Sequence, residues 1–94
     1  MKEIIDLRRE LEKKAEILKA ISHPIRLCIV KKLSEENGCN VTNMQNCLGA
    51  PQSTVSQHLA KLKAAGIVEG RRNGVEIYYY LTNEEVRKII EVFL

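Results

Sequence analysis

Residues 51–66 read PQSTVSQHLAKLKAAG, and the types and spacing of these side chains suit one kind of chemistry. If Val55, Leu59 and Leu62, spaced i, i+4, i+7, form the inward face of a helix, then Gln52, Ser53, Ser56, Gln57 and Lys63 remain on its outer side, near its N-terminal end. Glutamine can bond adenine at two edge atoms, and serine can bond several base edges. Hydroxyls and the free N–H groups of a first helical turn both suit phosphate oxygens. The plainer reading of such a row is a solvated helix face, because exposed Ser and Gln are common. The residues that follow favour nucleic acid: Arg71 and Arg72 lie beside Asn73 and Gly74. A basic hairpin tip directly after such a helix can reach neighbouring phosphates or a minor groove.

The charge distribution agrees. The formal net charge of +3 is carried unevenly: residues 1–22 hold six basic and five acidic groups, 23–50 three and two, 51–74 four and one, and 75–94 two and four. The segment with the polar row therefore has a surplus of three positive charges, which points to a polyanion as partner.

These residues need a scaffold, and 94 residues with 45% hydrophobic content fit one domain spanning 1–94. With one Phe and no Trp, the packing falls to Leu, Ile and Val. Such a chain builds a small core and has reason to complete it by pairing with a second copy. No apolar run approaches the roughly 20 residues that span a bilayer, and the N-terminal segment is charged from Lys2 onward without the apolar stretch of a signal peptide. The expected location is the cytoplasm. Cys28, Cys39 and Cys47 are odd in number and contain no CxxC, so they read as thiols rather than as a disulfide framework or a zinc knuckle.

Periodicity places five helices and a hairpin. Ile4, Leu7, Leu11, Leu18 and Ile21 predict a first helix over about residues 2 to 21, its stripe interrupted by Lys14. A helix of this length exceeds what a small core needs, so part of its stripe is expected to meet another subunit. Pro24 suits the first turn of a second helix, with Ile25, Ile29, Val30 and Leu33 inward, ending near Gly38; His23 reads as a cap at its start. A short third helix over about 41–48 presents Val41, Met44 and Leu48, capped by Asn40 or Thr42. Gly49, Ala50 and Pro51 turn the chain into the fourth helix, 51–65, and the pair forms a helix-turn-helix unit. The runs IVEG and VEIYYYL then form two strands, with Asn73-Gly74 as the hairpin signal. Asn83 or Thr82 caps a last helix bearing Val86, Ile89, Ile90 and Phe93 on one face. The fold class is mostly α with a small β-hairpin (α+β): four helices, two strands and a fifth helix.

LKAISHPIRLCIVKKL and PQSTVSQHLAKLKAAGIVEGRRNGVEIYYYL together resemble the ArsR/SmtB family of bacterial winged helix-turn-helix repressors. The markers are His23, Pro24, Arg26 and Leu27 opening the second helix, Ser53, Ser56, His58 and Leu59 in the fourth, then Ala65-Gly66 and the wing. The resemblance implies a homodimer joined by the first and last helices and repression of an operator that inducer binding relieves. The dimer set is then Ile4, Leu7, Leu11, Leu18, Ile89, Ile90 and Phe93. The DNA set is Gln52, Ser53, Thr54, Ser56, Gln57, His58, Lys61 and Lys63 on the helix with Arg71, Arg72 and Asn73 on the wing. His58 reads as a packing or phosphate-contacting residue rather than a metal ligand.

Metal sensors of this family often carry a Cys-x-Cys pair around the third helix or Asp and His on the last helix. Here GCNVTNM has Cys39 with Asn40 and Thr42, and TNEEVRKIIEVFL has no His, so neither metal site nor any cofactor is expected. Some relatives sense reactive sulfur or oxidants through cysteines on the second and last helices. Cys28 lies on the corresponding helix, about one turn early. The candidate thiol sensors are Cys28, Cys39 and Cys47, with Cys39 expected to be the most exposed, beside Gly38 in a loop. Cys47, and similarly Cys28 between Ile25 and Ile29, equally suit small core positions.

The function expected is a dimeric, sequence-specific DNA-binding repressor of an inverted-repeat operator, relieved by an inducer, through thiol chemistry rather than zinc. The alternative from another class is a winged-helix protein-interaction module without sequence-specific DNA binding. No nucleophile and base pair, phosphate loop or acidic cluster suggests an enzyme.

Overall fold

The computed structural model describes residues 3–94, without the side chain of Cys47; the expected helix start at residue 2 and the Cys47 thiol lie outside the described residues. The elements in chain order are α1 (Ile4–Ile21), α2 (Pro24–Glu35), β1 (Cys39–Asn40), α3 (Val41–Leu48), α4 (Gln52–Ala64), β2 (Val68–Asn73), β3 (Glu76–Leu81) and α5 (Glu84–Phe93). The fold is mostly helical with a small antiparallel sheet of three strands in the order β1-β3-β2.

Three helix starts are fixed by side-chain caps. His23 Nδ1 accepts the Ile25 N–H at 3.1 Å, ahead of Pro24. Asn40 Oδ1 accepts the Asn43 N–H at 2.9 Å, and Asn83 Oδ1 accepts the Val86 N–H at 3.0 Å. Each satisfies a donor that the helix itself cannot. The turn between α3 and α4 is made by Gly49, whose φ of 65° lies in the left-handed region.

Sequence reading found two strands, and the structure adds a third. Cys39 pairs with Tyr79 and Asn40 with Tyr78, so β1 closes one edge of the hairpin. Gly38 makes this approach feasible: its φ is 98°, and a Cβ there would stand 2.8 Å from the Tyr80 ring. The hairpin turn also sits one residue later than the Asn-Gly signal implies. Asn73 pairs with Glu76, which leaves Gly74-Val75 as the two-residue loop. Gly74 has a φ of 68° while no non-glycine residue described has a positive φ, so the turn relies on glycine alone.

One apolar core joins the helices to the sheet: Ile29, Val30 and Leu33 of α2, Met44 of α3, Val55, Leu59 and Leu62 of α4, Ile67, Val68 and Leu81 of the wing base, and Val86 and Ile90 of α5. Among the described residues no polar or charged residue is fully buried. Arg87 fastens α5 in place by donating to the Leu81 carbonyl at 2.8 Å and the Ser34 carbonyl at 3.4 Å. Lys14, which interrupts the α1 stripe, pairs with Glu85 of α5 at 2.5 Å.

The shape is elongated, 48 × 27 × 22 Å. Its radius of gyration of 14.5 Å exceeds the about 12 Å expected of a compact chain of this length. The excess comes from α1, whose 18 residues bury only Ile21 and leave the N-terminal half projecting.

Candidate nucleic-acid interface

The segment with the polar row is α4, held by Val55, Leu59 and Leu62, all within the core. With that stripe anchored, Gln52, Ser53, Ser56, Gln57, Lys61 and Lys63 are exposed, as the sequence predicted. Ala60 is exposed among them, seven residues after Ser53 and three after Gln57. It was absent from the predicted set, although its i+3 spacing from Gln57 marks it as part of the same face. A small side chain there lets the helix approach a surface closely. The N-cap of α4 is Pro51, and no side chain caps this helix or α1, whereas α2, α3 and α5 each have a side-chain cap. The first-turn N–H groups of α4 thus have no side-chain acceptor among the described residues, which leaves a partial positive charge directed outward.

Thr54 and His58 are half-buried, and His58 lies on the side of α4 turned toward the start of α2. The His58 ring packs against that of His23, centroids 4.4 Å apart and tilted by 36°. Burial lowers the His58 pKa, and the neighbouring His23, Arg26 and Lys61 lower it further. Both effects favour the neutral imidazole. Of the two roles considered for it, packing is the one its geometry suits.

The wing separates its two arginines. Adjacent strand residues face opposite sides of a sheet. Arg71, opposite Tyr78, occupies the outer face, where its guanidinium lies 4.5 Å from the centroid of the Tyr80 ring and 3.9 Å from Glu69. Arg72, opposite Ile77, shares the other face with Val68 and Leu81, the face that packs on the helices. Its Nε donates to the Gly74 carbonyl at 3.3 Å, and the side chain is exposed at the tip beside Asn73. The predicted basic pair is thus two separate cations, one beside a tyrosine ring and one at the tip on the face that packs on the helices.

The other predicted sets fare unevenly. Ile4 (84% exposed), Leu11 (58%) and Phe93 (75%) are uncovered, as are Leu7 and Leu18. Leu18 and Phe93 meet in an apolar cleft of about 330 Å3 between α1 and α5, together with Leu27 and Ile89. Ile90 requires correction: it is 0% exposed and belongs to the core, because it follows Val86 by one helical turn on the inward stripe. The cysteine expectations are reversed. Cys39 is 1% exposed, since its place in β1 turns it into the core, while Cys28 is exposed because it falls off the Ile29–Val30–Leu33 stripe. Among the described residues no three His, Cys, Asp or Glu side chains converge in a group that could hold a metal ion. No helix described is long and apolar enough to cross a membrane.

Comparison with known proteins agrees with this geometry. Residues 23–70 match the model of the bacterial regulatory protein, arsR family. The chain is 45% identical over 82 residues to the transcriptional repressor PagR of Bacillus anthracis, covering 87% of this chain and 82% of PagR. The crystal structure of PagR superposes with a TM-score of 0.85, covering 93% of this chain and 99% of that one at 42% identity. The HTH-type transcriptional repressor SmtB of Mycobacterium tuberculosis is 41% identical over 83 residues, 88% of this chain and 61% of SmtB. The homodimeric winged helix-turn-helix DNA-binding domain Mb0332 of Mycobacterium bovis, solved by NMR, gives a TM-score of 0.81 at 29% identity, covering 90% of this chain and 78% of that one. With its single apolar core, its outward polar row on α4 and its wing, this chain is a winged helix-turn-helix protein and belongs to the arsR family of bacterial regulatory proteins.

Proposed function

We propose that residues 1–94 act as one domain, a homodimeric transcriptional repressor that binds an inverted-repeat operator in the cytoplasm and is released by an inducer. The observation that carries this reading is the uncapped N-terminus of α4, with Ser53, Ser56 and Gln57 exposed beside it. α1 is uncapped as well, but only at α4 do the free first-turn donors stand beside an exposed row of hydroxyls and amides, ready for an outside acceptor. PagR and SmtB are named as repressors, and Mb0332 as a homodimeric DNA-binding domain.

In this reading Gln57, Ser53 and Ser56 meet base edges in the major groove, Gln52 and the first-turn N–H groups meet phosphate, and Ala60 permits close approach. Lys61 and Lys63 supply charge along the backbone. Arg72 and Asn73 reach the flanking DNA from the wing tip, and Arg71 contributes mainly through its field, since Tyr80 and Glu69 hold its guanidinium. Thr54 and His58 position α4 instead of reading bases.

The dimer forms through Ile4, Leu7, Leu11 and Leu18 of α1 with Ile89 and Phe93 of α5, burying apolar surface that the monomer leaves uncovered. Two recognition helices then stand about one DNA turn, ~34 Å, apart, which requires a palindromic operator. Of the two cysteines whose side chains are described, Cys28 is the exposed one and suits a thiol route to induction better than Cys39 does. The test is selection of genomic fragments on the purified protein, followed by titration of the recovered sequence at two salt concentrations. Enrichment of an inverted repeat, bound with steep salt dependence, is the expected result; retention of no DNA, or of DNA without any common sequence, would overturn the reading.

A further inference from the structure

The side of α1 away from its exposed apolar stripe borders an opening. At about 3.6 residues per turn, Lys13, Glu16 and Ala20 lie roughly opposite Leu7, Leu11 and Leu18. They form one wall of a groove of about 690 Å3 whose other wall is the C-terminal end of α4. A dimer formed through the stripe leaves this groove open.

The groove has an apolar floor, with Ile17 and Ala20 facing Ala64 and Ala65, and a cationic rim. Lys13, Lys19, Arg26 and Lys61 stand around it against the single carboxylate of Glu16. The remaining lysines of α1 and α2 within the described residues, Lys14, Lys31 and Lys32, each have an ion-pair partner. The four at the rim have none among the described residues. Arg26 adds an open donor: its Nε is enclosed with no hydrogen-bond partner among the described residues.

From this complementarity we propose that the groove binds an amphipathic organic anion, a carboxylate on an apolar body, and that its occupation weakens DNA binding. The proposal rests on the repressor reading and names the chemical class of the inducer. An anion at the rim neutralises Lys61, a charge that α4 otherwise offers to the DNA backbone. It also ties α4 to α1, the helix that meets the partner subunit, so one ligand touches both the reading head and the dimer spacing. By linkage, operator DNA weakens anion binding by the same factor.

The test titrates sodium octanoate into the full chain and follows the methyl resonances of Ala20, Ala64 and Ala65 by NMR, with octan-1-ol and inorganic phosphate as comparators. DNA affinity is measured in parallel. Octanoate is expected to shift these methyls saturably, to bind more tightly than either comparator, and to lower DNA affinity. The double variant Lys13→Gln/Lys19→Gln, which changes two exposed side chains, should weaken octanoate binding by roughly three- to tenfold. The proposal is overturned by the absence of saturable shifts, by an equal response to octan-1-ol, or by shifts confined to Leu18 and Phe93 at the α1–α5 cleft. It is overturned as well if octanoate is ignored while Lys13→Gln/Lys19→Gln weakens DNA binding and flattens its salt dependence, for then the groove is a phosphate track. Because DNA is read separately, a chain that binds DNA and ignores octanoate loses only the groove. One that binds octanoate but no DNA keeps the site and loses the repressor.

Discussion

α4 and α1 are both amphipathic helices, and the structure uses their two faces in opposite ways. α4 buries its whole apolar stripe, Val55, Leu59 and Leu62, and shows solvent a row of hydroxyls, amides and amines. α1 buries only Ile21 and shows solvent much of its apolar stripe, from Ile4 to Leu18. A helix that has satisfied its apolar face inside the monomer and shows solvent hydroxyls, amides and amines is equipped for a polar, anionic partner. A helix that leaves leucines and isoleucines uncovered is equipped for another apolar surface, and α5, ending in exposed Val92, Phe93 and Leu94, offers one. Exposure alone therefore does not mark function; the chemistry of what is exposed separates the two partners.

The largest expected effect lies in the shared support. Leu59→Ala should lower unfolding free energy by about 2 to 5 kcal/mol, measured by urea denaturation, because the side chain is wholly enclosed. Leu11→Ala, on the exposed stripe of α1, should leave the unfolding of isolated monomer nearly unchanged; comparable losses for the two would erase the distinction between buried and docking stripes.

Next comes assembly. Leu7→Glu/Leu11→Glu puts like charges into the proposed α1 interface and should convert the dimer to a monomer in sedimentation while circular dichroism stays helical. Affinity for an inverted repeat should fall toward that of a single half-site, since the second half-site no longer binds as part of the same molecule. A variant that remains dimeric would place the interface elsewhere.

Smaller effects distinguish residues within the proposed DNA-facing set. Gln57→Ala should cost roughly 1 to 3 kcal/mol on operator DNA and little on scrambled DNA, by fluorescence anisotropy. Arg72→Ala should weaken both DNAs and reduce the salt slope by about one. Arg71→Ala should do so less, because Tyr80 and Glu69 already engage its guanidinium. Equal salt slopes for the two arginine variants would mean that the wing releases Arg71 on binding.

The smallest effect concerns pH. The folded-state pKa of His58 is lowered, first by burial and then by His23, Arg26 and Lys61, so the unfolded chain binds more protons between that value and the ordinary 6.5. Stability should therefore be full above the ordinary value and decline as pH falls below it. His58→Gln should lessen that decline in denaturation curves collected across this range; an unaltered slope would assign the pH dependence to other groups.

Local chemistry made most of this readable in the sequence, and pairing between distant residues hid the rest. The His23-Pro24 start of α2, the Asn40 and Asn83 alternatives for capping, and the outward row of α4 all follow from neighbours within one or two turns. β1 is two residues long, too short to alternate, and exists only because Tyr78 and Tyr79, some forty positions later, lie beside it. The same pairing sends Cys39 inward, where adjacency to Gly38 had suggested an exposed loop. Cys28 was open to a better reading: one residue before Ile29 is about 100° around the helix, off the Ile29–Val30–Leu33 stripe. Phe93 and Ile90 share the periodicity of α5, and they differ because the helix runs past the edge of the core, which no periodicity encodes. The cationic rim of the groove draws on α1, α2 and α4 at once, so its charges look like ordinary solvated lysines until the helices are packed.

The most direct measurement is the anisotropy titration of an inverted repeat, a single half-site and a scrambled duplex with the wild-type chain and Gln57→Ala, at two salt concentrations. Two chains per inverted repeat, tighter binding there than on the half-site, and a loss for Gln57→Ala confined to the specific DNAs are predicted. One affinity for all three duplexes, untouched by Gln57→Ala, would contradict sequence recognition by α4 and with it the assignment of the exposed polar row.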